Sequence, residues 1–268
     1  MQAPQVHAPL LCPDAGDPPP YEIIHDGATT PILLICDHAS RAIPAALGRL
    51  GLEDDALRRH IAYDIGAAAL TRLLAARLDA PAVLCGYSRL VIDCNRPPGD
   101  PQSILEVSDG TVIPGNVGLS PAQQEARAEA VHWPYHHAIE NTFTRLRRLG
   151  PEPILFSVHT FTPSLAGQDR LWDLGVLWHR DPRVAVPLIS LLREEKDLTV
   201  GDNEPYSGLE LAYSLDLHGG SAGLANVAIE VRQDHCATPQ ELERWADLLA
   251  GVLRRIMAMP GVHGIESF

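Results

Sequence analysis

The sequence is poor in positive charge and lacks long apolar runs. Its 268 residues include 21 Lys and Arg against 34 Asp and Glu, which gives a formal net charge of −13. Proteins that bind nucleic acid need a basic surface, so this composition argues against such a partner. No segment approaches the roughly 20 apolar residues that span a bilayer, and the N-terminus lacks the basic start and apolar run of a signal peptide. We therefore expect neither a nucleic-acid nor a membrane partner.

The five cysteines form no paired motif. No two of them have the spacing of a CxxC motif, and their number is odd. Cys36, Cys85 and Cys94 lie in apolar runs, where a reduced thiol packs as a small hydrophobic group. This pattern is typical of a protein without disulfides in a reducing compartment, so we predict a cytoplasmic location.

The order of apolar segments indicates the fold class. Hydrophobic residues make up 46% of the chain, which is enough for a large core. Residues 1–20 are rich in proline and predict an irregular N-terminal arm. From residue 21 to 268, short apolar runs alternate with segments of helical periodicity, and no repeat or linker interrupts them. This alternation predicts a single α/β domain built as a layered sandwich.

Chemically capable side chains lie at or near the carboxyl ends of four apolar runs that predict strands. They are His38 after the run from Ile32, Asn95 and Arg96 after Leu90–Cys94, His159 after Ile154–Val158, and Glu230 within the run from Asn226 to Val231. In an open α/β sheet, ligands bind at the carboxyl ends of strands. If these strands are parallel neighbours, the four groups meet at one edge of the sheet.

These residue types suit metal-assisted hydrolysis. Two histidines and one carboxylate form a hydrolytic zinc site that leaves a position for water, and a separate carboxylate can take the proton of that water. The planar fork of an arginine can hold a substrate carboxylate. Asp64 lies on or beside the apolar face of a helix predicted over Glu53–Leu78, where its carboxylate needs a hydrogen-bond partner or a metal. This set of histidines, carboxylates and arginine fits hydrolysis of a small acidic amide.

Other interpretations of these residues stay open. The chain has no GxSxG motif, P-loop or GxGxxG motif, and a Ser40 or Ser157 nucleophile would have no distinguishing context. Glu230 can instead pair with Arg232 two residues on, and Arg96 can simply brace its loop. The histidines of HWPYHH (132–137) either contact a metal or substrate or have a structural role, and GDNEPYSG (201–208) is either a structured turn or part of a site wall.

Seven segments together resemble the N-formylglutamate amidohydrolase family. They are ILLICDHASRAIP (32–44), YDIG (63–66), SRLVIDCNRP (88–97), PYHHAI (134–139), SVHTFTP (157–163), GDNEPYSG (201–208) and NVAIEVRQD (226–234), in that family's order. The resemblance implies a fold similar to zinc carboxypeptidases and aspartoacylase, a three-layer sandwich with a mixed central sheet flanked by helices. It also implies hydrolysis of N-formyl-L-glutamate to formate and L-glutamate, late in histidine degradation, with one bound Zn²⁺.

The resemblance also implies roles for individual residues. His38 and His159 resemble the two metal histidines of zinc hydrolases with this fold. Asn95 and Arg96 resemble their Asn-Arg pair, which grips the substrate carboxylate, and Glu230 resembles their general base.

One expected metal ligand is missing. The zinc hydrolases have a glutamate three residues after the first histidine, and Arg41 stands at that position. We predict Asp64 as the replacement ligand, with Asp37 as the second choice. Arg89 and Arg232 are candidates to bind a second substrate carboxylate, and His218 is a candidate for a catalytic contact in the active site.

Two other functions remain open from the sequence. A deacylase or carboxypeptidase-like enzyme for another N-acyl amino acid or a small peptide would use the same residues. A non-catalytic protein that binds acidic metabolites on a degenerate hydrolase scaffold would account for Arg41. In each case we expect the partner to be a small anionic amino-acid derivative or a similar metabolite.

Overall fold

A central sheet of seven strands organises the protein, and two short two-stranded hairpins lie outside it. A computed structural model describes residues 9–165 and 167–268. In chain order, the strands are β1 (Tyr21–Ile24), β2 (Ile32–Cys36), β3 (Ala82–Cys85), β4 (Val107–Ser108), β5 (Thr111–Val112), β6 (Ile154–Phe161), β7 (Ser164–Leu165), β8 (Gln168–Asp169), β9 (Leu174–Leu177), β10 (Val200–Asp202) and β11 (Asn226–Arg232).

The sheet is mixed. Its order is β1-β3-β2-β6-β11-β9-β10. The four central strands β3, β2, β6 and β11 are parallel neighbours, whereas β1 runs antiparallel to β3 and β9 antiparallel to β11. The carboxyl ends of β2, β6 and β11 therefore lie side by side, which is the condition for their polar groups to meet.

Helices cover both faces of the sheet. They are α1 (Asp54–Leu57), α2 (Ala67–Leu78), α3 (Pro121–Arg127), α4 (Trp133–Arg147), α5 (Pro182–Leu192), α6 (Gly208–Leu211), α7 (Tyr213–His218) and α8 (Pro239–Met257). Helices α2, α5 and α8 pack on one face, while α4 and α7 pack on the other. Along β2, Ile32 and Leu34 enter the first core, and Leu33 and Ile35 enter the second. The predicted three-layer sandwich with a mixed sheet is confirmed.

The N-terminal arm docks on the edge of the sheet. Residues 1–8 of the predicted arm lie outside the described residues, and Pro13–Ala15 form one 3₁₀ turn. Gly86 donates its N–H to the Pro20 carbonyl at 2.9 Å, and the Tyr87 hydroxyl donates to the Pro18 carbonyl at 2.6 Å. Within the described part of the chain, no helix has the length and apolarity needed to cross a bilayer.

The helix predicted over Glu53–Leu78 is wrong in its middle. Turns occupy residues 58–66, between α1 and α2, and Asp64 lies in this loop rather than on a helix. Here the backbone bonds to other segments: Asp64 donates its N–H to the His38 carbonyl at 3.0 Å, and Ser88 and Arg89 both donate to the Ala62 carbonyl. Apolar periodicity alone could not reveal these long-range partners.

The strand predicted at Leu90–Cys94 is also wrong. The segment is buried but forms turns, so its backbone has no ladder partner in the described structure. Polar side chains form hydrogen bonds with its backbone carbonyls instead. Asn116 donates to the Leu90 carbonyl at 2.9 Å, and Arg127 donates to the Val91 carbonyl at 3.0 Å. Burial without a strand is thus possible because polar side chains satisfy the carbonyls.

The first residues of two helices can be recognised from local residue patterns. Ser120 with Gln123 forms a capping box at the start of α3, and Thr238 with Glu241 forms one at the start of α8, as the spacing of these residue types indicates. Residues Ala128–His132 form a π-helical turn directly before α4, whose second residue is Pro134. A proline has no N–H for the carbonyl four residues back, so a wider turn is favoured before it.

Replacing Gly66 should destabilise the fold. Gly66 has a φ of +90°, and a Cβ at this position would lie 2.5 Å from Cβ of Cys236. We expect Gly66→Ala to lower the free energy of unfolding by about 2–4 kcal/mol, through backbone strain and overpacking. Denaturant unfolding measures this loss. Gly261→Ala is the matched control, since Gly261 has a φ of +83° with no atom within 4 Å of the new Cβ. Equal losses in both variants would contradict a role for the Cys236 contact.

Candidate metal and catalytic site

A small cavity opens at the carboxyl ends of β2, β6 and β11. Its volume is ≈ 170 Å³, below the roughly 300–1,000 Å³ of ordinary ligand pockets, so it suits a small molecule. The residues that line it are His38, His60, Asp64, Arg89, Asn95, Arg96, His159, Thr160, Phe161, Thr162, Leu177, Tyr206, Ala228 and Glu230. Polar side chains predominate, and they include most of the predicted site residues.

Three buried residues meet at one end of this cavity. His38 follows β2, His159 lies in β6, and the loop before α2 brings Asp64 to both. Nδ1 of His159 lies 2.8 Å from Asp64 Oδ2, and Nδ1 of His38 lies 3.3 Å from the same oxygen. One ligand atom from each residue lies within 4.8 Å of the other two. The group has the donor set and the closeness of a site for one divalent cation.

The second ring nitrogen of each histidine faces another carboxylate. His38 donates from Nε2 to Asp93 Oδ1 at 2.7 Å, and His159 Nε2 lies 3.2 Å from Asp37 Oδ2. An ionised carboxylate only accepts hydrogen bonds, so a proton on Nε2 leaves Nδ1 of each ring as a ligand atom. Carboxylates commonly orient metal-binding histidines in this way.

Asp37 lies behind His159 rather than in the metal group. The hydroxyls of Tyr135 and Ser214 donate to its Oδ1 at 2.9 and 2.8 Å. Burial alone would raise the pKa of Asp37, but its hydrogen bond with His159 and the charge of that ring lower the pKa to about 2. Of the two carboxylates predicted as the replacement ligand, Asp64 is therefore the one that faces both Nδ1 atoms.

Negative charge exceeds positive charge around the two histidines. The buried carboxylates are Asp37, Asp64, Asp93 and Glu230. Arg89 partly balances them, because its Nη2 donates to Asp93 Oδ2 at 2.7 Å and its Nη1 lies 3.6 Å from Asp64 Oδ1. Burial opposes a charge on His159, yet Asp37 and Asp64 raise the pKa of its ring well above the usual value. The same surplus of negative charge favours a bound cation, so these residues fit a divalent metal ion.

Glu230 stands beside the metal group without a partner for one of its oxygens. It pairs in register with His159 across the parallel strands β11 and β6. Its Oε2 is buried and makes no hydrogen bond among the described atoms. Burial raises the pKa of Glu230 to about 7, against the opposing charge of His159. A cavity carboxyl that titrates near neutral pH is suited to take up and return a proton.

The predicted substrate-binding residues divide into two groups. Asn95, Arg96 and Arg89 line the cavity. Asn95 accepts a hydrogen bond from the Ser214 N–H at 3.1 Å, and Arg96 donates from Nη1 to the Asn95 carbonyl at 2.8 Å. The guanidinium of Arg96 keeps further donors for a ligand, whereas Arg89 is already paired with Asp93 and Asp64.

Arg232 and His218 are not brought into the cavity. Arg232 donates to Asp234 Oδ1 at 2.9 Å and lies 3.5 Å from Asp173 Oδ1. His218 contacts His136 on α4, behind the cavity. Their predicted substrate-binding and catalytic roles thus have no support from position.

The segment HWPYHH supports the loop that carries Asn95 and Arg96. His136 donates from Nε2 to the Cys94 carbonyl at 2.9 Å, so its Nδ1 accepts from His218 Nε2 at 2.8 Å. His132 Nε2 lies 3.1 Å from the Arg96 carbonyl. These contacts hold the backbone on both sides of Asn95, and His132 and His136 of HWPYHH therefore act behind the cavity wall.

Several residues of the site were missed from the sequence. Asp93 stands in the quoted segment SRLVIDCNRP, but nothing there distinguished it from a packed aspartate. Tyr206 lies in GDNEPYSG and lines the cavity, so this segment forms part of a wall. Gly201 of that segment is a point of close packing, since a Cβ there would clash with the Glu204 carbonyl oxygen.

Comparison with known proteins gives a consistent result. A sequence profile of the N-formylglutamate amidohydrolase family matches residues 30–237. The structure of gene product Atu2144 from Agrobacterium tumefaciens is similar over 93% of this chain and 98% of that chain, with 33% identity and a TM-score of 0.89. N-formylglutamate amidohydrolase from Ralstonia eutropha JMP134 matches 89% of this chain and 97% of that chain at 18% identity and a TM-score of 0.69, a likeness of fold alone. No protein with a curated description matches the sequence.

The buried histidines behind the cavity should make stability depend on pH. Burial lowers the pKa of His136 to about 3 and that of His218 to about 4. A histidine in the unfolded chain titrates at about 6.5. Below that pH the unfolded state binds more protons than the folded state, so the free energy of unfolding decreases as the pH decreases. From pH 7 to pH 5 we expect the wild type to lose about 2 kcal/mol more than His136→Gln, which keeps a donor for the Cys94 carbonyl.

Denaturant unfolding at the two pH values measures this difference. In the metal-free protein, the raised pKa values of His38 and His159 act in the opposite direction. Their contribution is fully present below the pKa of an unfolded histidine and is lost as pH rises. It is common to both proteins and cancels in the comparison. The same pH dependence in wild type and variant would contradict the prediction.

Proposed function

The chain belongs to the N-formylglutamate amidohydrolase family, and we propose that it hydrolyses the formyl amide of N-formyl-L-glutamate to formate and L-glutamate with one bound Zn²⁺. One observation carries the proposal: His38, Asp64 and His159 meet in a small cavity beside a carboxyl, Glu230, that titrates near neutral pH. A cytoplasmic location and a place in histidine degradation remain predictions.

The proposed metal ligands are Nδ1 of His38, Nδ1 of His159 and a carboxylate oxygen of Asp64. When bound, a divalent ion such as Zn²⁺ supplies a Lewis acid for the amide carbonyl and for water. Asp93 and Asp37 hold the imidazole rings through Nε2 at 2.7 and 3.2 Å. The chain thereby fixes both ring orientations before any ligand enters.

Glu230 is the proposed general base. It takes a proton from water as the water oxygen attacks the formyl carbon. It then returns that proton to the amide nitrogen as the C–N bond breaks, which yields formate and the free amino group. A carboxyl whose pKa is raised by burial to about 7 can serve in both directions at neutral pH.

Charge and volume favour a small acidic substrate. The surroundings are strongly negative, so an anionic substrate needs local cations. Arg96 lines the cavity, and its guanidinium can hold the α-carboxylate of the substrate in a two-point contact, with Asn95 beside it. A volume of ≈ 170 Å³ suits a formyl group attached to a single amino acid.

Metal content tests the first part of this proposal. We expect about one Zn²⁺ per chain in protein purified without chelator, and affinity at least about 100-fold weaker in His159→Gln, since a ligand is lost. Calorimetry with Zn²⁺ measures it, and His137→Gln, at an exposed helix position, is the control. If His159→Gln fails to fold, Asp64→Asn replaces it. Absence of stoichiometric zinc, with no activity on adding it, would favour the binder of acidic metabolites.

Turnover tests the second part. With N-formyl-L-glutamate as substrate, we expect Glu230→Gln to lower kcat by about 10²- to 10⁴-fold with little change in KM, because the amide cannot accept the proton. Glu129→Gln, at an exposed position, should retain normal turnover.

The same assay compares acyl groups. N-formyl-L-glutamate should be cleaved faster than the N-acetyl and longer N-acyl analogues, and faster than small peptides. Preference for a larger acyl group would support the deacylase alternative, and near-normal turnover by Glu230→Gln would disprove the general-base role.

A further inference from the structure

We propose that Arg170 binds the side-chain carboxylate of the substrate and so determines its specificity for an acidic amino acid. This inference rests on the proposed function, whose substrate carries two carboxylates. Arg96 can hold one of them, and the second needs another cation. Neither the sequence motifs nor the family resemblance pointed to Arg170.

Most arginines near the cavity are already neutralised. Arg89 pairs with Asp93 and lies 3.6 Å from Asp64. Arg232 pairs with Asp234 at 2.9 Å. Arg59 pairs with Asp109 at 2.6 Å. A guanidinium that already pairs with a carboxylate of the protein can serve a substrate only at the expense of that contact, so these residues are poor candidates.

Arg170 differs from them. Among the described side chains, no carboxylate oxygen lies within 4.0 Å of its guanidinium. Its hydrogen bonds to Thr162, through the carbonyl and Oγ1, are long at 3.5 and 3.4 Å. The residue is partly buried, and its charge lies beside the cavity-lining residue Thr162 without a carboxylate partner among the described side chains.

Two aromatic rings hold the guanidinium in place. The Arg170 carbon Cζ lies 4.7 Å from the ring centre of Tyr206 and 5.6 Å from that of Phe161. Phe161, Thr162 and Tyr206 all line the cavity. An arginine stacked on aromatic faces keeps its edge donors available and loses little entropy on binding an anion. Arg170 is therefore held against residues of the cavity wall, and because its Nη1 makes the contacts with Thr162, other donors of its guanidinium remain for an anion.

The position of Arg170 suits the more distant carboxylate. The α-carboxylate sits on the carbon that bears the scissile amide, whereas the side-chain carboxylate lies farther out. Arg96 is itself part of the cavity lining, whereas Arg170 contacts the lining residues Phe161, Thr162 and Tyr206 from beside them. We assign the α-carboxylate to Arg96 and the side-chain carboxylate to Arg170.

The test compares two substrates of nearly equal size. N-formyl-L-glutamine replaces the side-chain carboxylate by a neutral amide. We expect the wild type to prefer N-formyl-L-glutamate in kcat/KM by roughly 10- to 100-fold, the range of a charge-assisted hydrogen bond. Arg170→Gln should abolish this preference through KM, with kcat nearly unchanged. Arg170→Lys should retain an intermediate preference, since it keeps the charge without the fork. Arg180→Gln, at an exposed site away from the cavity, should behave as wild type.

A binding measurement separates this proposal from the proposed reaction. Calorimetry with zinc-loaded protein compares L-glutamate with L-glutamine in wild type and Arg170→Gln. An inactive wild type that still binds L-glutamate in an Arg170-dependent manner would refute the formyl hydrolysis and support the role of Arg170. Active protein whose preference survives Arg170→Gln would overturn the role of Arg170 alone. Failure of the wild type to discriminate by either binding or turnover would also overturn it.

Discussion

Buried negative charge at the carboxyl ends of three parallel strands is the constraint on which this structure depends. Carboxylates in the interior are costly unless positive charge meets them. Here two imidazoles and Arg89 provide part of that charge, and the donor atoms leave room for a cation. The surrounding elements also position these carboxylates. Hydroxyls on α4 and α7 donate hydrogen bonds to Asp37, and the loop before α2 holds Asp64.

The central strands of the sheet could be predicted from the sequence. Strands β2, β6 and β11 are apolar runs buried on both faces, so their composition alone identifies them. The errors fell on Asp64 and on Leu90–Cys94, where apolar residues are buried without regular structure. Both segments satisfy their backbone through partners far away in the chain, such as the His38 carbonyl for the Asp64 N–H and the Arg127 side chain for the Val91 carbonyl. Local periodicity carries no information about such partners.

The site residues show the same difference between what local sequence patterns predict and what they miss. His38, His159 and Glu230 could be placed because each lies in a strand or just after one, and neighbouring parallel strands bring their ends together. Arg232 directly follows a predicted strand too, but no local pattern of residues indicates that Asp234 and Asp173 surround it. Arg170 could not be found at all, since its relation to the cavity comes from stacking on Tyr206, a residue brought close by a separate loop.

The register of β11 against β6 has a consequence for how this protein can change. Glu230 and His159 are held opposite each other by a ladder of backbone hydrogen bonds, so their separation is set by the spacing between strands. Arg170 and Tyr206 belong to connecting segments, which tolerate insertion and replacement far better than a central strand does. Evolution or design can therefore exchange these segments to admit a different amino acid while the hydrolytic groups stay in place, so that one catalytic frame can serve a series of related substrates.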